Sequence, residues 1–236
     1  MKKHINKIYE PKETKLINVI IPAAGIGRRM KSYGCKSLLL VKNNKLIDLQ
    51  IKNIENSIPN HEIILVTGFD SDRLMNNSPD HLIKIENEKY YENNVSKSIS
   101  IGLRATKDSN HILILFGDLL LNNETIDNID FQKSSIVISE HMGDNEVGCN
   151  INQKGSLEYM MFDLPNKWAQ IIYLTGKELT LFKKIVWSKQ NHKKFCFELI
   201  NDVVSQGGHF QCIKDKYIRV MDIDTSKDLQ KAQEFI

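Results

Sequence analysis

Short apolar runs recur along the first 130 positions, and several are followed by a stretch whose apolar residues fall three and four apart. Asn18–Pro22 (NVIIP) is short, rich in β-branched residues and closed by proline, which predicts a buried strand. HEIILVTGF, HLIKIEN and HILILF repeat that pattern, the last breaking at Gly117–Asp118, and KSLLLV after Cys35 has the same apolar character. Between them, helical spacing predicts helices over Leu46–Ile58, over DSDRLMNN with Asp70 as its N-cap, and over Ser96–Ala105. Strands alternating with helices from Asn18 to about Asp130 predict an α/β fold, Rossmann-like, with a mostly parallel sheet sandwiched by helices.

Beyond Ser134 the rhythm changes. SSIVISEH, EVGCNIN and SLEYMMFD read as strands with no helix between them, so the sheet is expected to become mixed there. Helical spacing returns in TGKELTLFKKIVW and FCFELINDVVSQ, and strand-like runs in HFQCI and YIRVMDID. A last helix is predicted from about Thr225, where TSKD resembles a capping box with Asp in place of Glu. No repeat, low-complexity tract or linker interrupts the pattern. One domain over residues 1–236 is expected, with a polar tail over 1–16 and an elaborated region over about 134–210.

Composition narrows the function classes. The 236 residues carry a net charge of +3, too little for a dedicated nucleic-acid binder. No run approaches the roughly 18 apolar residues of a membrane span, and the basic start lacks the apolar stretch of a secretory signal. The four cysteines show neither CxxC spacing nor clustering, which fits reduced thiols and a cytoplasmic location better than zinc or disulfides.

Candidate chemistry concentrates in VIIPAAGIGRRMKSYGCKSLLLV, residues 19–41. A loop leaving a buried parallel strand opens at the carboxyl edge of the sheet, where α/β folds bind ligands. Glycines there bring backbone N–H groups close to an anion, and Arg and Lys supply charges suited to phosphate. The frame is not that of a Walker A loop, and Met30 stands where a dinucleotide fingerprint needs its third glycine. Asp118 directly follows a buried strand, a costly place for an unpartnered carboxylate, and Asp222 and Asp224 alternate so that in a strand both face one side.

AAGIGRRMKSYGCK resembles the A-A-G-x-G-x-R-M…P-K signature of the nucleotidyltransferase superfamily, with GT-A-like architecture, which includes choline-phosphate-type cytidylyltransferases and sugar-phosphate nucleotidyltransferases. The resemblance is carried by residues 19–41, 93–118 and 220–229 and thins out over 134–210. It implies that Ala23, Ala24, Gly25 and Gly27 cradle the triphosphate, and that Arg29 and Lys36 act on it during catalysis. Cys35 stands where the signature has proline, which leaves the charges in register but changes the turn. The same resemblance implies that Asp118 contacts the nucleotide and binds Mg²⁺, with Asp224 as the second metal ligand and Asp222 as its runner-up; capping of the last helix is the other reading of Asp224. Asp228 reads as structural. Gly68 is implied to line the base pocket. Ser98 falls at the position of a family serine beneath the base, while Ser96 either joins it or caps the helix.

The acceptor should bind in the elaborated region. Lys167, Trp168, Tyr173 and Glu198 are the candidates there: a lysine for a phosphate, and an aromatic pair that either faces an ammonium group or packs the core. The resemblance thus implies Mg²⁺-dependent transfer of a nucleotidyl group, with CTP favoured, to a small phosphorylated or phosphonylated acceptor, with release of pyrophosphate. It leaves a homodimer open. Two alternatives stand beside it: a GT-A glycosyltransferase using Asp222 and Asp224 as its metal motif, and a non-catalytic nucleotide-binding protein.

Overall fold

The computed structural model describes residues 15–27, 33–106, 110–143 and 146–235. At its centre lies β1 (Ile17–Pro22), buried at every position and paired in parallel with β4 (His61–Thr67) on one side and β6 (His111–Leu115) on the other. The full sheet has seven strands, adding β5 (Ile83–Glu86), β8 (Ser135–Ile138), β11 (Trp168–Thr175) and β12 (Gln211–Ile213), in the order β12-β8-β11-β6-β1-β4-β5. Only β11 runs antiparallel to its neighbours, β6 and β8. The expectation of a mostly parallel, mixed sheet holds.

Period-two alternation in the central strands makes two cores, as a sheet covered on both faces requires. Val19, Ile21, Leu65, Leu113 and Leu115 face one layer, formed with α1 (Leu46–Ser57), α2 (Ser71–Asn76) and α4 (Asn123–Asp127). Ile20, Ile64, Val66, Ile112 and Ile114 face the other, under α3 (Val95–Ala105), α5 (Gly176–Val186) and α6 (Cys196–Ser205). Each fully buried aliphatic side chain contributes on the order of 1.5–3 kcal/mol. Close approach of α3 requires Gly102, where a Cβ would stand 2.6 Å from Ile20 Cγ2.

Three two-stranded pairs decorate the sheet: β2 (Leu40–Val41) with β3 (Asn44–Lys45), β9 (Val147–Ile151) with β10 (Leu157–Phe162), and β7 (Leu119–Leu121) with β13 (Val220–Asp222). A third apolar cluster, including Leu46, Leu120, Met221 and Ile223, packs under the last helix, α7 (Ser226–Phe235). Its start is the expected capping box: Asp228 Oδ2 accepts from the Thr225 amide at 2.9 Å, and Thr225 Oγ1 accepts from the Asp228 amide at 3.3 Å.

Some local expectations are corrected. KSLLLV is no buried strand but a 3-10 turn over Lys36–Leu38 running into the short β2. Asp70 occupies the N-cap position of α2 in a left-handed conformation, φ 57°, and its carboxylate pairs with Arg73 rather than capping the helix. The cap of α3 is Asn94, whose side chain accepts from the Val95 amide at 2.8 Å, so Ser96 is a buried residue inside the first turn.

Candidate active site

A cavity of about 630 Å³ opens at the carboxyl ends of β1 and β6, where the sheet order places a crevice. The chain leaves β1 at Pro22 and runs Ala23–Gly27 along the cavity rim, with Gly27 at φ 59°. Ala23 donates to Val66 O at 2.8 Å, and Phe69 donates to Ala24 O at 3.2 Å, so the loop begins as an extension of the sheet. Arg29 lies outside the described residues, as do its neighbours Arg28 and Lys31.

Lys36 enters from the 3-10 turn. Its Nζ donates to Asp118 Oδ2 at 2.9 Å and to Asp224 Oδ1, with only 13% of the side chain exposed. Burial alone lowers the pKa of this ammonium, but the Asp118, Asp222 and Asp224 carboxylates outweigh it and hold the value above the usual lysine range. The preceding Cys35 is buried with φ −64° and ψ 123°, the backbone geometry of a proline. The residue that departs from the signature therefore keeps a backbone that proline also adopts.

Asp118 sits in the turn between β6 and β7, and that turn is clamped. The buried Gln50 of α1 donates from Nε2 to Phe116 O and Leu119 O, each at 2.8 Å, and Ser37 Oγ donates to Gly117 O at 2.7 Å. Pairing of β7 with β13 sets Asp222 opposite Leu119, and the Ile223 amide donates to Asp118 O at 3.1 Å. Two distant stretches are thereby zipped together, and Asp118, Asp222 and Asp224 each offer a carboxylate oxygen within 4.8 Å of the others. Burial first, then the neighbouring Asp118 charge, raises the pKa of Asp222, opposed by Lys36. Asp222 Oδ1 is buried without a hydrogen-bond partner. An all-oxygen set of this kind fits a hard divalent cation such as Mg²⁺, and the orphaned oxygen is an atom such an ion would satisfy.

Across the rim, Ser98 of α3 lines the cavity and accepts from Asn87 Nδ2 at 3.1 Å. Gly68 is corrected: it lies behind the rim, where a Cβ would stand 2.7 Å from Ala24 Cβ and 2.8 Å from Tyr90 Cβ. It admits the glycine loop and Tyr90 to the cavity wall without facing the cavity itself.

The acceptor candidates divide. Trp168 is buried on the cavity wall, edge-on to Phe116 at 5.8 Å between ring centroids, with its Nε1 donating to Ile171 O. Tyr173 is corrected to a core residue: its hydroxyl donates to Phe131 O at 2.9 Å and meets His111 Nδ1 at 2.7 Å, and burial pushes its pKa up to about 12. Glu198 is corrected too, because its carboxylate accepts from the Phe195 amide at 2.7 Å and serves the start of α6. Lys167 stands beside the wall rather than on it, its Nζ donating to Glu146 O at 3.2 Å.

Several lining residues carried no motif. Phe162 of β10, Phe195 at the N-cap of α6 and Phe197 in its first turn form an aromatic lip, with Phe197 5.5 Å from Phe162 and 5.9 Å from Phe195. Gln170 reaches Asp222 from the middle of β11; its signal was a single polar residue inside the apolar run WAQIIYL.

This architecture, a mixed sheet with a glycine loop, a lysine and carboxylates gathered at one edge, is that of the nucleotidyltransferases. The chain belongs to the MobA-like NTP transferase domain family, whose model matches residues 19–144. No curated protein matches it in sequence. Among solved structures it is similar to the CTP:phosphocholine cytidylyltransferase of Streptococcus pneumoniae (TM-score 0.75, 16% identity, covering 93% of this chain and 98% of that one). It is also similar to the inositol-1-phosphate CTP transferase of T. maritima (TM-score 0.71, 15% identity, 94% and 96% covered). A putative glucose-1-phosphate thymidylyltransferase of Bacillus anthracis follows (TM-score 0.68, 13% identity, 93% and 94% covered). At such identities the likeness is one of fold. No helix among the described residues is long and apolar enough to cross a membrane.

Proposed function

We propose that this nucleotidyltransferase is a single catalytic domain that couples CTP to a small phosphorylated or phosphonylated acceptor and releases pyrophosphate. The observation that carries the reading is the convergence of Lys36, Asp118 and Asp224, remote in sequence, beside the glycine loop in one cavity. The two cytidylyl-transferring neighbours support CTP as the nucleotide.

In this reading the backbone of Ala23–Gly27 holds the triphosphate, Arg29 grips the leaving β- and γ-phosphates, and Ser98 with Asn87 receives the base or ribose. Asp118 and Asp224, joined by Asp222, would hold Mg²⁺. That ion neutralises phosphate charge and raises the electrophilicity of the phosphorus it serves. An acceptor phosphate oxygen attacks the α-phosphorus in line with departing pyrophosphate. Because this oxygen is already anionic, no general base is required, and catalysis rests on alignment and charge neutralisation. Lys36, released from its carboxylates, is the group placed to neutralise the α-phosphate.

The acceptor's other end is assigned to the wall of Trp168 and Phe116 and the lip of Phe162, Phe195 and Phe197, all but Phe116 in the elaborated region. Such a wall suits an apolar or ammonium-bearing headgroup better than a polyhydroxylated one.

The test is a pyrophosphate-release screen of four nucleoside triphosphates against phosphorylated amines, polyols and sugars and a phosphonate. Metal-dependent release with CTP and one acceptor class is expected, abolished by Asp118→Asn. Sugar transfer from a nucleotide sugar without pyrophosphate release favours the glycosyltransferase alternative, and nucleotide binding without turnover of any acceptor favours the sensor.

A further inference from the structure

Gln170 is the one residue inside the seven-stranded sheet that breaks its strand's backbone rule: its φ is 58°, left-handed, in the middle of β11. Pairing of β11 with β8 jumps there, from Trp168 opposite Ile138 to Ile172 opposite Ile136, so the strand bulges. A non-glycine residue in this conformation is costly, and such strain collects where a fold holds something in place. What Gln170 holds is visible. Its Nε2 donates to Asp222 Oδ2 at 3.0 Å and to Glu146 Oε2 at 3.3 Å. Both acceptors are carboxylate oxygens, so only the NH₂ end of the amide can serve them, and its two protons match two acceptors.

Two carboxylates from different elements, one after β8 and one at the end of β13, are thus bridged by a neutral donor. Asp222 is held by one oxygen while Oδ1 stays buried and unpartnered. The side chains of Asp118 and Asp224 lie on Lys36, whereas Asp222 Oδ2 accepts from Gln170. A charged donor at this place would compete with a cation for Asp222, and an apolar residue would leave the carboxylate free to turn; a neutral amide does neither.

We propose that Gln170 is the positioning residue of the metal site, fixing Asp222 by one oxygen so that the other faces a divalent cation, and linking that carboxylate to Glu146 on the cavity wall. This rests on the metal reading of the acidic triad given above. It adds a fourth element, β11, to the three segments that build the site, and it explains why the left-handed backbone is kept at a polar residue.

The test is Mn²⁺ binding to nucleotide-free protein, read from loss of the free-ion EPR signal, in the wild type and in a Lys36→Met background where no tethered ammonium competes. Gln170→Met keeps side-chain length without the donor. Gln170→Gly removes the donor and also relieves the left-handed backbone. Both are expected to raise the Mn²⁺ dissociation constant about tenfold, the low end for loss of a residue that orients a metal ligand. Melting temperatures are followed in parallel, to show that Gln170→Gly is folded at least as well as Gln170→Met. If either folded variant binds Mn²⁺ within twofold of its parent, Gln170 only shapes the bulge and the inference is wrong. A separate arm tests the underlying reading: Asp224→Asn in the Lys36→Met background should abolish binding, and if that parent binds no Mn²⁺, or Asp224→Asn binds it unchanged, the triad is not a metal site and the role of Gln170 falls with it.

Discussion

Replacing Lys36 by methionine should make the protein less stable without metal and more responsive to metal, in one step. The lysine stem runs beneath Gly27, where a Cβ would stand 3.2 Å from Lys36 Cγ, so methionine keeps the packing and removes the charge. At the observed 2.9 Å, the attraction between Lys36 and Asp118 is about 6 kcal/mol at an effective dielectric of 20, before desolvation is subtracted. Side-chain exposures of 13% for Lys36, 27% for Asp118 and 14% for Asp224 describe a mostly buried cluster. Breaking a buried pair from one side costs about 3–5 kcal/mol, and the residual exposure of Asp118 argues for the lower end, about 3 kcal/mol. Much of that cost is carboxylate repulsion: two unit charges at the 4.8 Å limit of this cluster repel by about 3.5 kcal/mol at the same dielectric.

For a chain of this length a loss of about 3 kcal/mol lowers the melting temperature by about 6–12 °C. Differential scanning fluorimetry in EDTA should show that drop for Lys36→Met, and millimolar Mg²⁺ should restore more of it in the variant than it adds to the wild type. Turnover with CTP should fall by about 10²–10³, the usual cost of removing one donor aimed at developing charge. A variant with wild-type melting in EDTA and wild-type Mg²⁺ response would show that Lys36 does not neutralise the triad, and the electrostatic account of the site would be wrong.

Three further outcomes follow from local geometry. Cys35→Pro places proline where φ is already −64°, so it should keep activity and add about 0.4–1 kcal/mol of stability, measured by urea denaturation; a loss of activity would show that the thiol itself matters. Gly27→Ala forces a side chain into φ 59° and against the Lys36 stem, so kcat should fall at least about tenfold as the lysine is displaced, with about 1–2 kcal/mol of backbone cost; unchanged kcat would refute the contact. Burial, then the charge of Lys15, lowers the pKa of His111, and burial, then Lys97, Arg104 and Lys189, lowers that of His192. The unfolded chain therefore binds more protons than the folded one just below the ordinary histidine value near 6.5, so stability should be complete above that pH and decline as pH falls through it. Replacing both histidines by Gln should flatten the decline in denaturation midpoints between pH 7.5 and 5.5.

The sheet was legible because its signal is local. Val19 and Ile20 on opposite cores, or the break at Gly117–Asp118, are properties of adjacent residues that the chain displays without folding. The glycine loop and the three aspartates were legible through their order along the chain, and the pairing of β7 with β13 then gave that order its meaning in space. The wall proposed for the acceptor was not legible for the same reason reversed. Trp168 and Tyr173 are five residues apart on one strand, so they face opposite sides of the sheet, and only one reaches the cavity. Phe162 and Phe197 meet because β10 packs on α6, a contact between segments with no shared spacing. Glu198 had the chemistry of an acceptor ligand, but an acidic residue in the first turn of a helix has a nearer use for its oxygens.

The charge on the cavity wall bears on how a nucleotide enters it. Among the described lining residues, Asp118, Asp222, Asp224 and Glu146 carry carboxylates, and Lys36 is the cation among them. With every group ionised these described residues sum to −3, Arg28, Arg29 and Lys31 lying outside them, and the raised pKa of Asp222 works against that charge. A bare triphosphate approaching these four carboxylates meets like charge at short range, where screening by salt is weak. A triphosphate accompanied by a divalent cation meets a site whose carboxylates attract that cation, and whose lysine is then freed for the phosphate. Tethering Lys36 to Asp118 and Asp224 makes the carboxylates tolerable to the fold and, in the proposed reaction, keeps that ammonium beside the phosphate it would neutralise, so metal and nucleotide should bind with positive coupling, each tightening the other by the same factor.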